Sequence, residues 1–236
     1  METKHGEIPQ TELIIRPQTS DEEYNRVSFY LRKLNWYSEN GYKLDLPSHP
    51  IFQKLAERER IESDLNRLDL PETREIFQKE VYDINSYSDR LLAVESDRST
   101  VEQAFSRFYE LKSLWNFKVF SKYEIALTEF GTLGSYNEKE GKIIISTNQK
   151  WQPKKTIIHE GVHIGIEANI VQKYNLSHWE KERVVDLMCK NLFGDLLPEY
   201  TLQEKGDPRI NPYVTETTLK NLPVAISEYV ANFPRI

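Results

Sequence analysis

The sequence predicts an α+β protein: a helical N-terminal half, then a small, mostly antiparallel sheet followed by two long helices. Three observations predict it. Apolar residues recur at helical spacing through residues 1–117, alternation replaces that spacing between residues 122 and 146, and helical spacing returns from Pro153. With 236 residues, 39% of them hydrophobic and 29% charged, the chain is globular and long enough to bury a substantial core. It divides into a helical N-terminal region, residues 1–117, and a region of sheet and late helices, residues 118–236, expected to pack as one compact unit.

The elements follow in order. Ser20-Asp-Glu-Glu23 reads as a capping box that opens a helix with Tyr24, Val27, Tyr30, Leu31 and Leu34 on one face, closed by Asn40-Gly41. Ser48-His-Pro50 starts a second helix carrying Ile51, Leu55, Ile61 and Leu65, with the charged run Glu57-Arg-Glu-Arg60 facing solvent. Pro71 opens a third, with Ile76, Phe77, Val81, Ile84 and Leu91. Ser99-Thr-Val-Glu102 reads as another capping box, ahead of Val101, Phe105, Phe108, Leu111, Leu114 and Trp115 as core. Lys122–Thr128, Thr132–Tyr136 and Lys142–Ser146 are short strands, the last two joined as a hairpin through the turn ending at Gly141. Pro153 opens a helix to about Lys173, a second runs from Ser177 to Phe193, residues 199–214 read as loop, and Leu222–Ala231 forms a last helix.

Composition narrows the function classes. No apolar run approaches the roughly 20 residues of a membrane span, and the opening residues lack the apolar centre of a secretory signal. The single cysteine, Cys189, excludes an internal disulfide and reads as a buried helix residue. These features predict a cytoplasmic protein with no membrane partner. A net charge of -6 argues against nucleic acid, whose backbone calls for a basic surface.

The chemistry concentrates in Thr156-Ile-Ile-His-Glu-Gly-Val-His163. On a helix, His159 and His163 lie one turn apart on one face, so both imidazoles can meet one Zn2+ ion. Glu160 follows the first of them and can take a proton from water on that ion as the water attacks a carbonyl. A purely structural helix would have to bury two histidines and a glutamate among Ile157, Ile158, Val162, Ile164 and Ile166, at several kcal/mol unless each is paired. It would also carry Gly161 and Gly165 at about 1 kcal/mol each relative to alanine. Close approach of a ligand or a neighbouring chain would account for those glycines.

A catalytic zinc takes three protein ligands and keeps one position open. A third histidine six residues past His163 is absent, because that position is Asn169, and Ile166 stands where the same pattern has glycine. Glu167 lies about 12 Å along the axis from His159, too far to share the ion. The next helix offers Glu180, Glu182 and Asp186. Ser177-His-Trp-Glu180 is a capping box, which occupies Glu180 with the backbone. Glu182 lies deeper, on one stripe with His178 and Asp186, and is the best placed of the three to be the third ligand; the alternative is an exposed acidic stripe paired with Lys181, Arg183 or Lys190. Asp186 can then accept a hydrogen bond from a ligand histidine's free ring nitrogen.

This arrangement resembles the gluzincin metallopeptidases, in which the short zinc helix is followed about twenty residues later by a glutamate ligand and, four residues on, by an aspartate. Here His159-Glu160-x-x-His163 is followed by eighteen residues and then Glu182-Arg-Val-Val-Asp186. The resemblance covers residues 122–195 and is greatest to the compact minigluzincins. It implies a zincin-like fold for residues 118–236, with a sheet whose edge strand aligns the substrate. The glycine-rich loop of the aminopeptidase branch is not apparent, and Lys181 stands where thermolysin has asparagine. The stretch from Glu182 to Leu196-Leu-Pro198 is also similar to bacterial metallopeptidases that cleave repressors, where the glutamate-to-proline distance is shorter.

The expected function is therefore zinc-dependent hydrolysis of a peptide or protein substrate, with His159, His163 and Glu182 as metal ligands and Glu160 as general base. His178, Tyr213 and Tyr229 are candidate donors to the tetrahedral intermediate, none of them assigned. Two other classes use the same residues: a non-catalytic zinc-binding regulatory or interaction protein, and a zinc hydrolase of a non-peptide amide or ester.

Overall fold

A computed structural model describes residues 11–57, 62–147 and 152–234. Its N-terminal part comprises β1 (Glu12–Pro17), α1 (Ser20–Arg32), α2 (Leu34–Glu39), α3 (Pro50–Ala56), α4 (Glu62–Leu65), α5 (Pro71–Ile76) and α6 (Ser88–Trp115). Strands β2 (Lys122–Thr128), β3 (Gly134–Asn137) and β4 (Lys142–Ser146) follow, then α7 (Pro153–Ile166), α8 (His178–Phe193) and α9 (Leu222–Asn232). The charged run Arg58-Glu59-Arg60 and Ile61 of the expected second helix lie outside the described residues. No helix among those described is long and apolar enough to cross a membrane.

The fold is α+β, but the sheet is mixed rather than mostly antiparallel. Its order is β1-β2-β4-β3, with β1–β2 and β2–β4 parallel and only β3–β4 antiparallel. Alternation reveals a strand but not its neighbour, and β4 inserts between β2 and the hairpin's other arm. The helical reading of the first half also missed β1. Glu-Leu-Ile-Ile-Arg-Pro alternates poorly and ends in proline, which an edge strand tolerates.

Two helix starts differ from expectation. Thr19, not Ser20, caps α1: its hydroxyl accepts from the Glu22 backbone while Glu22 reaches back to the Thr19 N–H. Glu23 is thereby freed to turn inward, where it accepts hydrogen bonds from Tyr87, from Thr128 Oγ1 at 2.7 Å and from the Glu129 N–H at 3.0 Å. Ser99–Glu102 caps nothing, because α6 runs unbroken from Ser88 to Trp115 with no glycine or proline inside it. Leu91 belongs to this helix too, and Leu114 is exposed rather than core.

The large core lies between the sheet, α6, α7, α8 and α9, and a smaller one gathers Tyr24, Phe52, Phe77 and Phe130 in the N-terminal part. The glycines of α7 face aromatic rings from the helical half. A Cβ on Gly165 would stand 1.8 Å from the Phe117 ring, and one on Gly161 would stand 3.0 Å from Phe105. The close approach of these rings, not a ligand, therefore explains both. The α6 side of α7 is thus sealed, and its histidines face the other way.

Candidate metal centre

Two helices bring the predicted residues together. Pro153 starts α7, which carries His159, Glu160 and His163. Ser177 and Glu180 form the expected capping box of α8, and Glu180 also accepts from Tyr229 at 2.7 Å, so it is fully engaged away from the cluster. Glu182, two residues on, points across at α7. Its Oε2 lies 3.4 Å from both the His159 and the His163 Nε2 atoms, which are themselves 3.0 Å apart. One ligand atom from each of the three lies within 4.8 Å of the others, close enough to bind one metal ion.

The hydrogen bonds around His159 set its tautomer. Its Nδ1 lies 2.7 Å from the Tyr200 hydroxyl, which donates its own proton to Asp186 Oδ1 at 2.9 Å. Burial pushes the Tyr200 phenol well above its usual pKa, so that proton stays. With the tyrosine proton committed to Asp186, His159 Nδ1 must be a donor, and Nε2 faces His163 and Glu182. Against burial, contacts with Cys189 and Glu182 hold the His159 pKa well above its usual value, so Nε2 offers its lone pair to a cation only in exchange for a proton. Asp186 was expected to bond a histidine directly. It lies 3.9 Å from His159 Nδ1, and Tyr200 is interposed. Its other oxygen accepts from the Gln203 backbone N–H at 2.6 Å, and the Gln203 side chain donates to Glu182 Oε2 at 2.9 Å. Arg183, donating to the Gln203 and Gly206 carbonyls, pins this loop to α8.

His163 is almost fully buried, and burial lowers its pKa to about 4, so at neutral pH it presents a neutral imidazole. Its ring stacks on Tyr136 at 4.9 Å, while its Nδ1 has no hydrogen-bond partner among the described residues. Tyr136 in turn donates to Glu167, which confirms that Glu167 serves elsewhere. Two imidazole nitrogens and a carboxylate oxygen, the last also accepting from Gln203, thus converge at one point. That is the donor chemistry of a metal site.

Glu160 sits beside this cluster under β3. A Cβ on Gly134 would lie 2.2 Å from its Oε1, so the strand can pass over the carboxylate only because residue 134 is glycine. No described residue donates a hydrogen bond to it, and burial raises its pKa to about 7. The cluster and Glu160 form the floor of a cleft of about 720 Å³. Of the three candidate donors to a tetrahedral intermediate, only His178 lines that cleft. Tyr229 is buried against Glu180, and Tyr213 bonds Asn232.

Sequence reasoning missed Tyr200, Gln203 and the aromatic residues opposite the cluster. Tyr200 and Gln203 lie in loop, where no periodicity marks an inward side chain. One signal was available: a ligand histidine needs a partner for its second nitrogen, and Tyr200 is a polar aromatic a few residues past the end of α8. No family model, curated protein or solved structure matches the chain.

Proposed function

We propose that the protein is a zinc-dependent peptidase in which His159, His163 and Glu182 hold the metal and Glu160 is the general base. The observation that carries this is the convergence of both Nε2 atoms on Glu182 beside a buried carboxylate that no described residue engages. Two histidines and a glutamate form a ligand set typical of catalytic rather than structural zinc. Bound there, the ion supplies Lewis acidity, polarising a carbonyl and making water a better nucleophile. Glu160, next to His159 in the chain, takes the proton of the attacking water and returns it to the leaving nitrogen. Tyr200 and Asp186 hold His159 in the tautomer that offers Nε2, and Gln203 fixes the carboxylate of Glu182.

A peptide is the favoured substrate because β3 forms the sheet edge along this cleft. It pairs with β4 alone among the described strands, so an extended chain can add to its free side and lie over Glu160. The spacing from His163 to Glu182 and Asp186 supports assignment to the gluzincins, with the aspartate acting through Tyr200.

Elemental analysis beside cleavage of unfolded casein tests the reading. One zinc per chain, with cleavage lost on chelation and restored by zinc, is the expected result. One zinc without cleavage of casein or of a peptide library would favour a non-catalytic zinc-binding protein. Failure to bind zinc would remove both.

A further inference from the structure

Facing the metal cluster, the helical half supplies a wall of aromatic side chains. Tyr30, Trp36, Tyr37 and Tyr42, from α1, α2 and the loop after it, all line the cleft that His159, Glu160, His163 and Glu182 floor. They form a connected set. Tyr37 lies 4.9 Å from Tyr30 and from Trp36, and Tyr42 is stacked between Trp36 at 6.1 Å and Trp179 at 6.2 Å. Trp36 nevertheless remains 44% exposed, and Leu133, on the sheet side of the same cleft, is 53% exposed. Large apolar surfaces left open inside a concave site mark where a ligand's apolar group goes.

The wall is fixed in place. The Tyr42 hydroxyl bonds His178 Nε2 at 2.5 Å, and His178 Nδ1 lies 3.9 Å from Glu182, so the aromatic set begins one side chain away from a proposed metal ligand. Lys205 donates to the Asn40 carbonyl at 2.7 Å, and Asp45 exchanges backbone hydrogen bonds with Gly131. The loop is therefore anchored to both the α8 side and the sheet side of the cleft. Gly41, at φ +76°, lets it turn tightly against Lys205.

We infer that the α1–α2 corner is a side-chain subsite that selects an aromatic residue of the substrate, next to the bond being cut. Ring faces offer offset or edge-on packing to another ring, and the charged residues of the same loop that line the cleft, Lys43 and Asp45, are of opposite sign and give no net charge to attract an ionic side chain. A peptide paired along β3 points its side chains alternately to the two faces of the sheet, and these rings line the same cleft as β3 residues Gly134, Ser135 and Tyr136, within reach of a side chain on one of those faces. The inference takes the position of the cut bond from the peptidase reading. The binding of the side chain does not depend on it.

Two measurements separate the two ideas. In the zinc-loaded protein, phenylalanine hydroxamate should bind at least about tenfold more tightly than alanine hydroxamate, from burial of the ring. Trp36→Ala should bring the two within about threefold, and Trp36→Phe should keep most of the difference. In protein stripped of metal, N-acetylphenylalaninamide should shift the Trp36 indole N–H resonance, identified by its loss in Trp36→Phe, and N-acetylalaninamide should not. Discrimination only in the stripped protein, with no hydroxamate bound in the presence of zinc, would refute the metal reading and leave the subsite standing. Equal binding of the phenylalanine and alanine compounds in both experiments would overturn the subsite, as would tighter binding of lysine hydroxamate, which would mark a cation site.

Discussion

On the floor of the cleft, His159, His163 and Glu182 stand on two long helices whose other faces fill the large core. On the wall, Trp36, Tyr37 and Tyr42 stand on a six-residue helix and a loop, held by a few hydrogen bonds and ring contacts. The floor is buried, with His159 and Glu182 held by hydrogen bonds and His163 by stacking on Tyr136; the wall is half exposed. The difference suits the two tasks. Metal ligands must converge to within a few tenths of an ångström, which needs rigid support. A side-chain subsite needs shape and apolar area, which a short anchored segment supplies.

Changes at the floor should have the largest effect. Glu182→Gln should abolish zinc retention through dialysis, whereas Glu180→Gln, in the capping box two residues away, should retain it. Equal loss from both would show that α8 was misread. Tyr200→Phe comes next. It removes the hydroxyl between His159 and Asp186 while keeping the ring, and zinc affinity should fall by about 10- to 100-fold, the range for a group that orients a ligand. Competition with a fluorescent zinc chelator measures it, and unchanged affinity would place Tyr200 in packing alone.

Substitutions at the wall should spare the metal. Gly41→Ala forces an L-residue to φ +76° against Lys205, and should cost about 1 kcal/mol of stability with zinc content unchanged. A thermal melt beside elemental analysis checks it, and zinc loss would show that floor and wall are not independent.

The smallest effect concerns an ion network that joins the wall's helix α1 to the sheet. Glu22 is held well below the usual carboxylate range, chiefly by the hydrogen-bonded Arg16 guanidinium, with Lys142 assisting. Because the folded pKa is depressed, its contribution is present above the unfolded value of about 4.3 and is lost as the pH falls below that. Glu22→Gln should therefore lower the urea midpoint at pH 6.5, and the gap from the parent protein should shrink by pH 3.5. A gap that does not change with pH would assign the effect to the lost cap at Thr19 instead.

The same contrast explains what the sequence could reveal. His159, Glu160 and His163 are legible because a helix converts spacing into a shared face, and Glu182 because the capping box at Ser177 fixes the phase of α8. The wall was not legible. Tyr42 meets His178 across 136 residues of chain, and no local pattern encodes that contact. Sheet order failed for a related reason, since β1 pairs with β2 only after the whole helical half has intervened. The capping box at Ser177 held, the one at Ser20 was misplaced by one residue because Thr19 is the cap, and the one at Ser99 failed because Ser-x-x-Glu sits inside an uninterrupted helix.

The central claim is that Glu160 moves protons for a metal held by its neighbours. Zinc content and peptide cleavage, measured on one preparation of Glu160→Gln, test it most directly. The substitution keeps size and leaves the three proposed metal ligands in place, but the amide cannot accept the proton. Zinc should remain at one per chain while turnover falls by at least about 100-fold, the lower end for a positioned base. Full zinc with full turnover would contradict the account.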